Sequence, residues 1–541
     1  MSDHLEGAWT AVLEVLRQHG VSTLFGLPGD DLKLLDALER AEDPPRLVLC
    51  RDQRNALFMA TGHALHTGSA SVAVVGKGPA ATNATTGLLE ARCSRAPVVL
   101  IGAGTDPHHI GARAFQELDQ VAALAPLTKW AHRVEHADRL VPALRRAMLV
   151  AARGAPGPVY LEVPDHLPAA EIPLRGSGVE LTTGVPQQVR DARRPILLVG
   201  GGMRHRNAER VVERLAERLG AAIFTTASGR GAVDEDHPHF LGLSGLYAAP
   251  ATAELWSTSD CVIALGSRLE ETATLEWPEP VGDSVPVVQL NIAAEELSTE
   301  HSGPCVVGDA AATVESWLAG DLGGDRAAWA DLVTTTRLAL RPRTSGIPDL
   351  LAAVREIVPE GRILVQENGL QDMWSYFFPN YSCGRHGGSV VPSEQTSLGF
   401  GAAAAAGVKA AEPDRPVLAL VGDGAFGLFA NELRTLVRER LGVCYLVLRN
   451  GGYGWLQQQA DQHEPPLTRH RFTRDDEPLV RTPGAHHALA RHRDELTAAL
   501  TEALRLTAEG VPCVIEIPVS LDDSALRPEG DFGSPQPEEN P

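Results

Sequence analysis

The chain of 541 residues lacks several of the features by which a sequence announces its setting. Its seven cysteines, at 50, 93, 261, 305, 383, 444 and 513, include no CxxC pair. That argues against a cysteine zinc site and a disulfide framework, and for a reducing, cytoplasmic compartment. Basic residues are in deficit: 48 Lys and Arg against 69 Asp and Glu leave a net charge of −21, which argues against nucleic acid or anionic membrane as a partner. No apolar run is long enough for a bilayer; the stretch Ala402 to Ala411 is short and carries Lys409. Residues 1–20 read as an amphipathic helix and lack a signal-peptide core. What is present, 44% hydrophobic and 22% charged residues, is an ordinary globular composition. The length exceeds what one core can use, so about three domains are expected.

The most informative stretch is Val417 to Gly454, VLALVGDGAFGLFANELRTLVRERLGVCYLVLRNGGYG. Val417 to Val421 and Val443 to Leu448 are apolar runs of strand length. Between them, Leu433, Leu436, Val437 and Leu441 fall at helical spacing, with Arg434, Arg438 and Glu439 on the opposite face, which predicts one amphipathic helix. A strand, helix and strand in this order make a right-handed parallel crossover. If the strands are neighbours, their ends lie about 5 Å apart. Asp423 follows one strand end and Asn450 the other, so a carboxylate and an amide oxygen meet at the rim where open α/β sheets bind ligands. Oxygen donors suit a hard cation, and Mg²⁺ takes one or two protein groups together with phosphate oxygens. The Gly452 carbonyl offers a third oxygen, and the N–H groups of Gly424 and Ala425 are expected to face the same anion. The stretch therefore points to Mg²⁺ carrying a diphosphate.

A dinucleotide fold competes for this stretch, because Gly422, Gly424 and Gly427 also spell GxGxxG after a strand. Such a site expects an acidic residue at the end of the second strand to meet the ribose. Here Arg449 and Asn450 stand there, and Asp423 repels a bare pyrophosphate unless a metal intervenes.

Elsewhere, strands alternate with helices. Leu24 to Asp31 reads as a strand entering a Pro-Gly turn; Ser71 to Val75, Val98 to Gly104 and Val159 to Pro164 are further strands. Residues 169–194 are rich in Gly, Pro, Thr and Gln and read as a linker. From Pro195 a second α/β unit begins with ILLVGGGM and a helix from Ala208 to Leu219, followed by strands CVIALGSRL and VPVVQLNI. VVGDA then leads into a last helix. Residues 320–346 read as a second, partly helical linker. Arg362 to Gln366 opens a third unit, and residues 527–541 form a polar tail expected to be disordered. The fold class is thus α/β, with three doubly wound parallel-sheet domains over residues 1–168, 190–320 and 347–526.

The motif GDG, a helix, a strand and NGGYG resembles the metal and diphosphate motif of thiamine-diphosphate-dependent enzymes of the acetolactate synthase and pyruvate decarboxylase superfamily. The resemblance extends along the chain. FGLPGD is similar to the family's FGxPG turn, which implies cofactor contact for Pro28 and places Asp30 where decarboxylase-like members carry a working aspartate. GPAATN, with Ala80 for a glycine, is similar to GPGATN and implies a cofactor role for Asn83. AFQELDQ, Ala114 to Gln120, followed by Thr128 and Lys129, resembles the acetolactate-synthase type, with Gln116 in the site. GPVYLEVP, Gly157 to Pro164, is also a family phrase. ENGLQDMW resembles the turn whose Gly369, Leu370 and Gln371 meet the diphosphate. SLGFGAAAAAG is similar to the loop and helix in which Leu398 props the cofactor into a bent shape; as plain sequence, Leu398 reads equally as core. Two positions earlier, Thr396 replaces a glycine whose carbonyl accepts from the pyrimidine 4′-amino group, a function a backbone carbonyl retains. The family motif assigns Gly422, Asp423, Gly424, Ala425, Asn450, Gly452, Tyr453 and Gly454 to the diphosphate and metal, with Trp455 and Gln458 at the substrate.

Two further positions depart from the family. Gln53, in RDQRNALFMATGHA, stands where a glutamate hydrogen-bonds the pyrimidine N1′ and helps release the C2 proton; an amide bonds but exchanges no proton. No glutamate follows the metal loop either, since Leu456 occupies the place decarboxylase-like members use. His108 and His109 read as a surface pair or, by their nearness to a double histidine of the decarboxylase branch, as proton-transfer residues. The resemblance implies a carboligase or decarboxylase of a 2-oxo acid, with carboligation to an aldehyde or ketone favoured. Simple aldehyde release and a non-catalytic cofactor-binding homologue are the alternatives. It further implies thiamine diphosphate and Mg²⁺, a central Rossmann-like domain without FAD, and a homodimer or homotetramer sharing its sites between chains.

Overall fold

The computed structural model describes residues 7–27, 33–164 and 184–523, apart from residues 112, 208, 276, 279, 280, 282, 283, 294, 295, 299, 300, 302, 325, 385–387, 394, 464, 465, 470 and 474–478. Pro28, Asp30, residues 169–183 of the first expected linker and the tail 527–541 lie outside the described residues.

Short aliphatic runs such as Val72 to Val75 and Val417 to Val421 are buried on both faces, which is the condition under which parallel strands form between layers of helix. Three six-stranded sheets result. The first contains β1 (Thr23–Leu27), β2 (Arg46–Leu49), β3 (Ser71–Val75), β4 (Val98–Gly104), β5 (Trp130–Arg133) and β6 (Val159–Pro164), in the order β2-β1-β3-β4-β6-β5. The second contains β7 (Pro195–Val199), β8 (Ala222–Thr225), β9 (Phe240–Leu243), β10 (Cys261–Leu265), β11 (Val287–Asn291) and β12 (Cys305–Val307), ordered β12-β11-β10-β7-β8-β9. The third contains β13 (Ile363–Gln366), β14 (Ser389–Val390), β15 (Val417–Gly422), β16 (Cys444–Arg449), β17 (His486–Leu489) and β18 (Cys513–Pro518), ordered β14-β13-β15-β16-β18-β17. Neighbours are parallel, as in β1 with β3, β7 with β10 and β15 with β16. The fold is α/β throughout.

The first and third sheets share one topology, so the helix Gln53–Thr67, between β2 and β3, is the counterpart of Phe400–Ala411, between β14 and β15. These two helices pack face to face, and their small residues explain how closely. Both contribute to one buried cluster, with Ala56, Ala60 and Ala64 on one side and Ala402 to Ala406 on the other. The alanine-rich stretch is thus the seam between two layers. The middle sheet has Rossmann order, with its reversal between β7 and β10.

Three local readings are corrected. The crossover from β15 to β16 is two helices, Asp423–Phe429 and Leu433–Glu439, joined by a 3₁₀ turn over Ala430–Glu432. The break lets Glu432 turn inward while Leu433 and Leu436 stay buried. Within the second expected linker, the helix Ala327–Ala339 buries Trp329 and Val333 in the middle core, and Trp329 Nε1 donates to the Pro195 carbonyl at 3.0 Å. The helix expected from Ala208 starts at Val211.

Candidate functional site

β15 and β16 are adjacent, with Gly422 opposite Leu448, so Asp423 and Asn450 emerge side by side. The Gly451 N–H donates to Asp423 Oδ2 at 2.8 Å, which locks the two strand ends together. Asn450 Nδ2 donates to Gln371 Oε1 at 2.8 Å, and this fixes the amide so that its oxygen turns back toward its own loop, where the Gly452 N–H donates to it at 3.2 Å. A Cβ on Gly424 would lie 2.8 Å from the Gly452 carbonyl oxygen and 2.9 Å from the Tyr453 ring, so only glycine permits this approach. Over Gly422 a Cβ would meet open space, the volume a ligand needs. Burial pushes the Asp423 carboxyl up from its ordinary value, opposed by the N–H groups of Gly451 and Gly424. One expectation is corrected: the Gly424 N–H donates to Asp423 Oδ1 at 3.0 Å, so it orients the carboxylate instead of facing an anion directly. Ala425 is buried behind it, and Gly454 opens the next helix, Gly454–Gln462, where a Cβ would strike the Asn450 side chain.

The turn after β13 closes the same rim. Gly369 N–H donates to Asp372 Oδ1 at 2.5 Å, which shapes the segment Gly369, Leu370 and Gln371. Asp372 is buried, its carboxyl pushed up to about 7 by burial, and it also accepts from the Gly422 backbone. Glu367, buried as well, accepts from the Gly401 N–H at 3.1 Å. Asp372 and Glu367 escaped the sequence reading. In sequence they are two acids in a mixed polar strand exit, Gln366 to Trp374, and nothing there marks them as buried.

The other residues singled out in the sequence stand on the first sheet. Gln53 is the first residue of its helix, with Asp52 as the cap accepting from Asn55 N–H. Asn83 Nδ2 donates to Gln53 Oε1 at 2.8 Å, so the turn after β3 holds the Gln53 amide with its carbonyl engaged. Gln116 has a left-handed backbone, φ +56, and its carbonyl lies against Gly78 in that same turn. His108 and His109 form a short turn with both side chains exposed, and the His108 N–H donates to Asp106. Among the described residues no hydrogen bond crosses from the Gln53–Asn83 pair to the Asp423 rim.

Two buried carboxylates tie the first and third units together. Glu432, at the helix break, accepts from the Arg51 N–H at 2.8 Å and from Asn55 Nδ2 at 3.4 Å, on either side of Gln53. Glu90, on the helix Thr85–Cys93, accepts from the Ser393 N–H at 2.7 Å and the Ser397 N–H at 3.3 Å, on either side of Thr396. Nothing in the sequence marks these pairs, which span 300 residues or more. Leu398 is 43% exposed, so it is no core residue.

A cavity of about 530 Å³ runs from the Thr396 turn into the middle unit. Thr396, Trp455 and Asn368 line one end; Gly201, Gly202 and Ser267, beyond β7 and β10, line the other. Trp455 and Gln458 part company: Trp455 faces this cavity, whereas Gln458 donates to the Leu521 carbonyl and lines a separate polar cleft beyond Asn450.

Among the described residues no three His, Cys, Asp or Glu side chains form a metal cage. A cation at this rim therefore relies on Asp423 with amide, carbonyl and ligand oxygens, a donor set that fits Mg²⁺ with a diphosphate.

Comparison with known proteins bears on the same elements. Three family models match: thiamine pyrophosphate enzyme, N-terminal TPP binding domain, over residues 8–123; the central domain over 184–316; and the C-terminal TPP binding domain over 368–517. The chain is 30% identical to an acetolactate synthase of Mycobacterium bovis over 484 residues, 83% of this chain and 76% of that protein. It is 25% identical over 539 residues to an acetolactate synthase large subunit of Lactococcus lactis, covering 95% of this chain and 93% of the relative. Its fold is similar to that of a thiamine diphosphate-dependent 4-hydroxybenzoylformate decarboxylase of Rhodococcus jostii, with a TM-score of 0.79, 23% identity, and coverage of 96% of this chain and 100% of that one.

Proposed function

This chain belongs to the thiamine pyrophosphate enzymes and is a thiamine-diphosphate-dependent carboligase or decarboxylase; from that premise we propose that it uses Mg²⁺ and a 2-oxo acid and favours carboligation of the acetolactate-synthase kind. When bound, thiamine diphosphate supplies the electron sink for the carbon that loses its carboxylate. The protein's part is to hold, orient and withhold protons. Asp423, Asn450 and the Gly452 carbonyl hold the metal, and Gly369 to Gln371 receive the diphosphate. Leu398 supports the bend, the Thr396 carbonyl accepts from the pyrimidine amine, and Gln53 with Asn83 meets its far edge. Trp455 bounds the substrate space, and His108 and His109 serve proton transfer.

The observation that carries the choice of carboligation is the lack of an acid at two reacting positions. Gln53 offers an amide whose oxygen already accepts from Asn83, and Leu456, 44% exposed, stands after the metal loop where a carboxylic acid would protonate the product. With no carboxylic acid at either position to protonate the reacting carbon, capture by a carbonyl acceptor outruns release as an aldehyde. A screen of 2-oxo acids with aldehyde and ketone acceptors, read by mass spectrometry, tests this. Coupled products are expected, and aldehydes alone would refute it.

The active form is proposed to be a cytoplasmic homodimer or homotetramer. Ile110 and Phe115 are 55% and 70% exposed beside the Gln53 half, while Leu398 and Leu456 are exposed at the Asp423 half, so a second copy gives both apolar edges cover. FAD is proposed to be absent. The cavity cations that would meet its diphosphate are engaged: Arg95 and Arg268 meet Glu296, Arg206 meets Asp309, and Arg204 donates to the Ser389 carbonyl.

A further inference from the structure

Thr396 has φ +42, a left-handed backbone that a β-branched residue enters only at a steric cost. Its surroundings hold it there. The Thr396 N–H donates to the Ser393 carbonyl at 2.9 Å, closing a tight turn. Glu90, fully buried, grips that turn at both ends through the Ser393 and Ser397 N–H groups, while Ser94 Oγ donates to Glu90 Oε1 at 2.9 Å and fixes the carboxylate itself. Released from this grip, the segment relaxes toward negative φ and the Thr396 carbonyl swings with its peptide plane. A threonine here puts a side chain into the wall of the 530 Å³ cavity near Trp455, which glycine cannot do.

We propose that Glu90 is a positioning residue: it forces Thr396 into the backbone conformation of a glycine, so that the Thr396 carbonyl is aimed at the aminopyrimidine while its side chain shapes the substrate cavity. The inference rests on the cofactor reading given above. Glu90 touches neither cofactor nor substrate and acts through the backbone it brackets.

The test uses the holoenzyme with thiamine diphosphate and Mg²⁺. Glu90→Gln places an NH₂ where an N–H needs an acceptor. Exchange of the cofactor C2 proton, followed by NMR after acid quench, is expected to slow by about tenfold, the factor matching one left-handed residue's strain. Cofactor affinity, set at the metal rim, stays near that of the wild type. The double variant E90Q/T396G restores exchange, because glycine takes positive φ without a bracket. Wild-type exchange in E90Q, or a double variant no faster than E90Q, overturns the proposal. Should E90Q not fold, Glu90→Asp, which keeps the charge and shortens the reach, stands in under the same criteria. If the wild type itself shows no C2 exchange, the cofactor reading fails on its own, and a crystal structure of cofactor-free E90Q decides the bracket: Thr396 at negative φ supports it, and Thr396 still at positive φ overturns it.

Discussion

Gly407 stands so close to Met59 that a Cβ on it would lie 1.8 Å from the Met59 carbonyl oxygen. The relation is returned one turn away, where a Cβ on Gly62 would meet the Ala404 carbonyl oxygen at 2.5 Å. Because both obstacles are backbone, neither helix can yield by a rotamer change, and the first and third sheets that they cover are set at one spacing. Gly407→Ala is expected to cost about 1–3 kcal/mol through overpacking. A thermal melt should show a lower midpoint, and an unchanged midpoint would mean the helices are free to separate.

At the metal rim, the Gly451 N–H ties the Asp423 carboxylate beside Asn450 and the Gly452 carbonyl. Asp423→Ala is expected to abolish Mg²⁺-dependent binding of thiamine diphosphate while the fold persists. Calorimetric titration with and without Mg²⁺ reads this directly, with circular dichroism as the fold control. Cofactor affinity equal to that of the wild type would remove Asp423 from the metal.

That rim was legible in the sequence because it depends on local order. Two apolar runs with residues just past their ends suffice to predict a parallel pair and its ligands, and β3, β4 and β6 have the expected bounds for the same reason. The edge strands β2, β14 and β17 went unread. They are short, and edges carry less of the apolar signal that marks a strand buried on both faces. Glu432 shows the other limit. Its meaning lies in Arg51 and Asn55, and a contact of 381 residues' separation leaves no periodicity to read. The helix break beside it was hidden because Leu433 and Leu436 keep helical spacing on one side of it.

A pH effect on stability follows from the seam. His63 and His66 lie on the helix Gln53–Thr67, and burial pushes the His63 imidazole down from 6.5 to about 4, with His66 adding to the shift. Burial also lowers His66, against the Glu412 carboxylate that its Nε2 meets at 2.8 Å, with Arg204 and Arg415 as nearby cations. Between 6.5 and 4 the unfolded chain binds a proton that folded His63 refuses, so its contribution is fully present above 6.5 and is lost as pH falls through that window. Urea midpoints between pH 5 and 6.5 are expected to fall more steeply in the wild type than in His63→Gln. Parallel slopes would show that His63 is protonated in the fold.

His108 and His109 stand exposed on the short turn that follows β4. If they move protons on substrate or product, replacing both with Ala slows product formation about 10²–10⁴-fold, the usual contribution of a general acid or base. Cofactor affinity should change little. Steady-state rates together with a cofactor titration separate these effects, and a rate within a few-fold of wild type returns the pair to the surface.

Gln53 opens its helix behind the Asp52 cap, and its hydrogen bond shapes the expectation. Its Oε1 accepts from Asn83 Nδ2 at 2.8 Å, which leaves the Gln53 NH₂ as the group able to meet the pyrimidine. A donor of that kind favours an acceptor nitrogen but cannot pass a proton through it, so exchange at C2 should be slow and nearly independent of pH around neutrality. Gln53→Glu keeps the acceptor for Asn83 and adds a transferable proton. Exchange measured by NMR after acid quench is therefore expected to accelerate. Product formation need not follow, because the new carboxylic acid can also protonate the reacting carbon and divert it toward aldehyde. The expected signature is faster exchange with a product ratio shifted from coupled product to aldehyde, read by mass spectrometry on the same samples. Exchange no faster than wild type would place the pyrimidine away from Gln53, and faster exchange with an unchanged ratio would show that proton scarcity does not set the outcome.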